Sequence, residues 1–194
     1  MDAFDEYTVA SVIDYFAEKT PDKTVFMCEG NEITYDGLKD RCLRLAEGMK
    51  RLGVAKGDKV AIWAPNSIEW ILVQLTAAYL GAVLVPINTR HRSTELDYTL
   101  KQSDATIFFL AKEFGANFLD IFTGVCPEIE ESVPGNLSSK KFPLLKNVVS
   151  LGGWTHPGML RYEDLEPDHP STVPPESGPD DVVLIQYTSG TTGP

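Results

Sequence analysis

Hydrophobic residues along this 194-residue chain alternate between two periods. Val9, Val12, Ile13, Phe16 and Ala17 repeat at helical spacing up to Thr20-Pro21, which stops the helix. Thr24–Cys28 reads as a strand, Glu29-Gly30-Asn31-Glu32 as a turn, and Ile33-Thr34 as the returning strand of a hairpin. A longer helix from Tyr35 to Leu52 puts Leu38, Cys42, Leu45, Ala46, Met49 and Leu52 on one face, with Thr34 as N-cap and Gly53 as the left-handed residue beyond its end. Lys59–Ala64 is the next strand. Asn66, with Glu69 three residues on, has the spacing of a capping box for a helix carrying Ile68, Ile71, Leu72, Leu75 and Tyr79. Gly81 ends that helix, Ala82–Pro86 is a strand, Ser93 opens a helix with Leu96 and Leu100 inward, and Ala105–Leu110 is a strand again.

Strands and helices alternating at short intervals predict a three-layer α/β fold, a mostly parallel sheet flanked by helices, with the hairpin as a small N-terminal addition. The strands are continuous apolar runs, as expected where both faces are covered. A further helix is expected over Phe114–Phe122. Cys126–Phe142 mixes Pro, Gly, Ser and both charge signs, and reads as an ordered excursion or a loop. Leu144–Leu151 holds one more strand. Pro157–Pro179 is a proline-rich, acidic connection with one helical turn over Met159–Leu165. Val182–Ile185 then reads as a buried strand feeding a loop of hydroxyls and glycines, Thr188-Ser189-Gly190-Thr191-Thr192-Gly193. Small residues let backbone approach an anion, and N–H and O–H groups supply donors, so this is the build of a phosphate cradle. It is not a Walker A loop, because no Gly-Lys-Ser/Thr follows at the required spacing.

Tyr187–Pro194 resembles the AMP-binding signature of the adenylate-forming enzymes: acyl-CoA synthetases, peptide-synthetase adenylation domains and luciferases. Ile33–Leu38 resembles an early segment of the same family, with Gly37 where Glu is usual. Ala78–Asn88 resembles its second core segment, and Leu52–Val54, Gly57–Ile62 and Pro65–Ser67 run as the family does. A Ser/Thr/Gly-rich stretch after a strand is by itself often a polar turn; three segments in order are far more specific.

The resemblance implies that residues 1–194 form the first subdomain of the family's large N-terminal domain, the rest of that domain and the C-terminal domain lying outside this sequence. It implies a ligase that joins a carboxylic acid to ATP as acyl-AMP, with release of pyrophosphate, and then passes the acyl group to the CoA thiol. ATP, Mg²⁺ and CoA are the implied cofactors and co-substrates. Thr188, Ser189, Gly190, Thr191, Thr192 and Gly193 would hold the β- and γ-phosphates. The family's lysines fall beyond this sequence, so no catalytic residue is expected within it, and the chain alone is expected to be inactive. Asn88-Thr89-Arg90 and Thr94–Tyr98 resemble fatty-acid and related acyl ligases. The alternatives are an amino-acid or aryl-acid adenylation domain that loads a carrier protein, and a truncated, non-catalytic interaction module.

Composition narrows this further. A net charge of −11 disfavours nucleic acid as a partner but does not prevent a local cradle from holding ATP. No apolar run is long enough to span a bilayer. The acidic Met1–Glu6 is unlike a secretory or mitochondrial leader, which points to the cytoplasm, or to mitochondria if a leader has been removed. Cys28, Cys42 and Cys126 lack metal-ligand spacing and read as small, half-buried residues in a reducing compartment, Cys126 beside Pro127 in a loop-like stretch being the one candidate for reactivity, without a basic neighbour to activate it. His91, between Arg90 and Arg92, forms a basic cluster that could meet a phosphate or simply be a solvated helix entrance. His156 and His169 sit in loops without a metal-ligand pattern around them in sequence, so no metal site is expected. Trp63 and Trp70 read as packing, and Glu128, Glu130 and Glu131 as a solvated run. An apolar edge left for the rest of the domain would favour aggregation or a homodimer.

Overall fold

The computed structural model describes residues 7–169 and 171–188. It opens with helix α1 (Val9–Lys19), the antiparallel hairpin β1 (Thr24–Cys28) and β2 (Asn31–Thr34), and helix α2 (Tyr35–Arg51). Then follow β3 (Lys59–Trp63), α3 (Ile68–Tyr79), β4 (Val83–Pro86), α4 (Ser93–Ser103), β5 (Ala105–Ala111), α5 (Phe118–Val125), β6 (Asn147–Leu151) and the short β7 (Leu160–Arg161). The main sheet has the order β4-β3-β5-β6-β7, and every pair in it is parallel.

The strand order explains the layers. From β3 the chain crosses to β4 on one side, then back over to β5 on the other. Parallel crossovers are right-handed, so reversing direction sends the connecting helices to opposite faces. Accordingly α1, α2 and α3 pack together, and α4 packs with α5. Both faces are covered: Val60, Ala61, Ile62, Trp63, Ile107, Phe108, Phe109 and Leu110 are fully buried. The expected parallel three-layer sheet with its separate hairpin is therefore present.

Local signals held in several places. Thr34 caps α2 by accepting from the Gly37 N–H at 3.2 Å, and Gly53 takes φ +86° just beyond the helix. Others moved. Ser67, not Asn66, caps α3, its hydroxyl accepting from the Trp70 N–H at 3.1 Å. The buried residues of α3 are Leu72, Val73, Thr76, Ala77, Ala78 and Tyr79, so Leu72 and Tyr79 lie inward as expected while Ile68, Ile71 and Leu75 are only half-buried. This helix is apolar almost all round, so periodicity could not fix which side meets the sheet. Helix α5 starts at Phe118 rather than Phe114, because Asn117 caps it by accepting from the Asp120 N–H at 3.2 Å.

The excursion after α5 is ordered. Ile129, Leu137, Phe142 and Leu145 are buried, and Lys141 reaches Asp97 of α4 at 2.7 Å. Glu128 is not part of a solvated run: it accepts from Ser139 Oγ at 3.2 Å. His156 packs against Glu130 at 3.3 Å, a partner supplied by the tertiary fold.

From β7 the chain forms a 3-10 turn (Tyr162–Leu165) and runs back across α2. Arg41 grips Glu166 with two hydrogen bonds, Nε to Oε2 at 3.0 Å and Nη2 to Oε1 at 2.8 Å. Gly48 is the contact point. A Cβ there would lie 2.0 Å from the Leu165 carbonyl oxygen, so no side chain fits without moving the crossing segment. Gly48→Ala is expected to destabilise the fold by about 2 kcal/mol, the overpacking cost exceeding the gain in helix propensity. A urea-unfolding midpoint no lower than that of the unaltered chain would refute this close approach.

Candidate nucleotide site at the carboxyl edge of the sheet

In an open parallel sheet, ligands bind outside the carboxyl ends of the strands, beside the point where strand order reverses. Here that point lies between β3 and β5. Aromatic side chains occupy it. Trp63, at the end of β3, is fully buried and stacks on Phe118 of α5, with ring centroids 4.0 Å apart and planes 12° from parallel. Its indole N–H donates to the Asn88 carbonyl at 3.0 Å. Trp63 is thus packing, as its position suggests, and it also orders the turn beyond β4. Trp70 is half-buried against the same core.

Asn88 organises that turn. Its carbonyl also accepts from the His91 N–H at 2.9 Å, and its side-chain oxygen accepts from the Arg90 N–H at 2.9 Å. Arg92 donates through Nη1 to the carbonyls of Arg90 and His91, at 3.0 and 2.8 Å, while its own N–H is held by Glu95 at 3.0 Å. The Glu95 carboxyl sits below its usual range, chiefly because backbone N–H groups, its own and that of Arg92, bond to it. Two guanidiniums are therefore exposed at the mouth. His91 Nδ1 is shielded from solvent and has no hydrogen-bond partner among the described residues.

The 182–187 segment approaches the same mouth along the outer side of β4. Leu84 N–H donates to the Val183 carbonyl at 3.0 Å, Ile185 N–H donates to the Leu84 carbonyl at 2.9 Å, and Leu84 and Leu184 form a parallel bridge. The segment was expected to be a buried strand. Instead it is an edge held by one bridge, with Val182 60% and Val183 43% exposed. At its end Tyr187 meets Tyr98 of α4 edge-on, with centroids 6.1 Å apart. Thr188 follows and is exposed. Of the expected phosphate-loop residues, Ser189, Gly190, Thr191, Thr192 and Gly193 lie outside the described residues.

A cleft of about 510 Å³ lies elsewhere among the described residues, between the hairpin and the start of α3, and is lined by Glu29, Glu32 and Glu69 with Arg41. Its one basic group is already bound to Glu166, so it is ill-suited to a polyphosphate. The described residues contain no group of three or more His, Cys, Asp and Glu that could hold a metal ion, and no helix long and apolar enough to cross a membrane.

The chain belongs to the family described as AMP-binding enzyme, whose pattern matches residues 13–194. It is 37% identical over 96% of its length to YngI of Bacillus subtilis strain 168, provisionally named an acyl-CoA synthetase, and covers 36% of that protein. It is 32% identical to the mitochondrial medium-chain acyl-CoA ligase ACSF2 of Mus musculus, again over 96% of this chain and 32% of that one. Among solved structures, the long-chain-fatty-acid–CoA ligase FadD1 of Archaeoglobus fulgidus superposes with a TM-score of 0.70 at 26% identity, over 97% of this chain and 35% of that one. The anthranilate–CoA ligase AuaEII, solved with anthranoyl-AMP, superposes at 0.83 with 24% identity, over 97% of this chain and 33% of that one, and shows the shared fold. The chain thus spans about a third of the length of the curated relatives it matches.

Cys126, the candidate for reactivity, is fully buried, and burial pushes it up to about 11; burial likewise pushes Cys42 up to about 12. Half-buried Cys28 remains. Alkylation of the native chain near about pH 8 is expected to label Cys28 and spare the other two, as peptide mass mapping would show. Folded Cys42 and Cys126 keep their protons to higher pH than the ordinary thiol value of 9.0. Their contribution to stability is therefore complete below that value and lost as pH rises through about 11 to 12. Urea midpoints measured either side of this window should fall on the alkaline side.

Proposed function

We propose that this chain is the first subdomain of an ATP-dependent carboxylic acid:CoA ligase, with a fatty acid as the acyl donor. In the whole enzyme the acid's carboxylate attacks the α-phosphate of ATP, pyrophosphate leaves, and the CoA thiol then displaces AMP from the acyl-adenylate. The observation that carries this reading is the family match running through Tyr187–Pro194, at the end of a segment aligned with β4 at the carboxyl edge of a parallel sheet. The names of YngI and ACSF2 support CoA as acceptor.

The roles follow from charge. Negative charge on phosphate oxygens has to be met by donors and cations held in advance, since little covalent chemistry is left for the protein. Thr188, Ser189, Thr191 and Thr192 supply hydroxyls, and Gly190 and Gly193 let the backbone fold over the β- and γ-phosphates. Arg90 and Arg92 make the adjacent lip positive in a chain whose net charge is −11. No described residue is assigned to Mg²⁺, which would travel with the nucleotide and offset phosphate charge there. The remaining groups of the reaction belong to the two thirds of the relatives that this chain does not span, so the 194-residue chain is expected to show no acyl-CoA formation.

Carboxylate-dependent ATP–pyrophosphate exchange tests this on a chain of the relatives' full length, with fatty, aryl and amino acids compared. Exchange driven by fatty acids, followed by acyl transfer to CoA, is the expected result. Exchange with amino or aryl acids and transfer to a carrier protein would replace the reading with its nearest rival, and no exchange with any acid would remove it. In the same assay Thr191→Val should lower kcat/KM for ATP by about 10- to 100-fold, through loss of one phosphate donor.

A further inference from the structure

The segment that carries Thr188 is poorly specified by its own pairing. It touches β4 through one bridge and two hydrogen bonds, at the edge of the sheet. A slip of one residue in such a pairing turns every side chain to the opposite face. Something else has to fix where the segment starts, and the structure shows what does.

Three pieces of chain converge at the amino end of β4. Gly57 N–H donates to the Gly81 carbonyl at 2.9 Å, joining the loop before β3 to the turn before β4. Glu176 N–H donates to the Tyr79 carbonyl at 3.0 Å, bringing in the crossing segment. The next turn closes on itself: Asp181 Oδ2 accepts from the Gly178 N–H at 2.6 Å, and Asp181 N–H donates to the Gly178 carbonyl at 3.2 Å. Lys56 locks the three together. Its Nζ lies 2.7 Å from Asp181 Oδ2 and donates to the Glu176 carbonyl at 3.1 Å. The Lys56 stem lies over Gly81, where an added Cβ would come within 3.0 Å of its Cγ. Lys50 holds the Glu176 carboxylate from the side.

We propose that Lys56 is a positioning residue for the nucleotide-phosphate loop, acting through Asp181 and the Glu176 carbonyl to set the register of the 182–187 segment on β4. The proposal rests on the reading of Thr188–Gly193 as that loop. Asp181 is three residues before Leu184, the bridged residue, and seven before Thr188. An extended chain spans about 3.3 Å per residue, so a contact at the amino end of the sheet fixes, about 20 Å away, which residue reaches the mouth and which way its side chain faces. Lys56 touches no phosphate in this scheme. An isolated, half-exposed ion pair would contribute little to global stability. Its effect here is local, because the same ammonium also takes a backbone carbonyl and holds a turn one residue ahead of the pairing.

The test compares Lys56→Met, which keeps much of the stem and loses the charge, with Lys56→Arg, which keeps the donors. Hydrogen exchange is measured on the 194-residue chain, and ATP–pyrophosphate exchange on a chain of the relatives' full length. In Lys56→Met the Ile185 amide should exchange about tenfold faster, with the amides of β3 and β5 unchanged. KM for ATP should rise about tenfold, with kcat and KM for the acid within about twofold. Lys56→Arg should restore both, and Asp181→Asn should reproduce the Met variant. An unchanged Ile185 amide overturns the proposal, and so does loss of protection throughout the sheet in both Lys56→Met and Asp181→Asn. Faster Ile185 exchange with KM for ATP unmoved also overturns it, by severing the register from nucleotide binding. Absence of exchange activity in the unaltered enzyme would instead strike the functional reading, leaving the hydrogen-exchange result to decide the clamp.

Discussion

The right-handed crossover around β3 is the constraint on which the rest of this structure depends. The strand pairs with β4 on one side and β5 on the other; the connection from β3 to β4 and the one from β4 back past it to β5 run in opposite directions. Handedness then places α3 and α4 on opposite faces, and both faces of the sheet become interior. With both faces buried, chemistry is confined to the ends of the strands. The turn at Asn88, the edge segment and its exposed Thr188 all gather at the carboxyl end for that reason.

The crossing segment is the second organising feature. After β7 the chain is rich in proline and acid and has little regular structure of its own. It is held by what it crosses: Arg41 on Glu166, Gly48 beneath Leu165, Lys50 on Glu176, and Lys56 on Asp181. Each contact joins a cation or a glycine in the first third of the chain to an acid or a carbonyl near its end. Much of the acidic character that reads as surface connection is thus committed to particular partners. The negative net charge and the positive lip at Arg90–Arg92 coexist because the charges are sorted in space rather than averaged.

The shielded Trp63–Phe118 stack shows how the site is confined. In many open sheets the crevice at the reversal of strand order takes the ligand. Here two aromatic rings fill it, and the indole N–H anchors Asn88. The part of the carboxyl end that stays open lies toward β4 and the sheet edge, where 182–187 arrives. The acidic cleft by the hairpin offers a polyphosphate only Arg41, which is already bound to Glu166.

How much of this was legible in the sequence follows from the range of each interaction. Hydrophobic period, the Thr34 cap, Gly53 and the alternation of strand and helix act within a few residues, and they determined the three-layer parallel fold. The hydroxyl- and glycine-rich stretch stands out in sequence because its residues are consecutive, and all but Thr188 of it lies outside the described residues. What lay beyond reach depended on distant partners. The inward side of α3 could be read only in part, because the helix is apolar on most sides and only the sheet and α2 choose between them. The burial of Cys126, the Glu128–Ser139 contact and the His156–Glu130 pair needed the excursion folded against α5. Val182–Ile185 looked like a core strand because its four residues are apolar. Only the sheet, by having β4 at its edge, decided that Val182 and Val183 are exposed while Leu184 and Ile185 are half-buried against it, and only Lys56, more than a hundred residues earlier, decided where the segment begins.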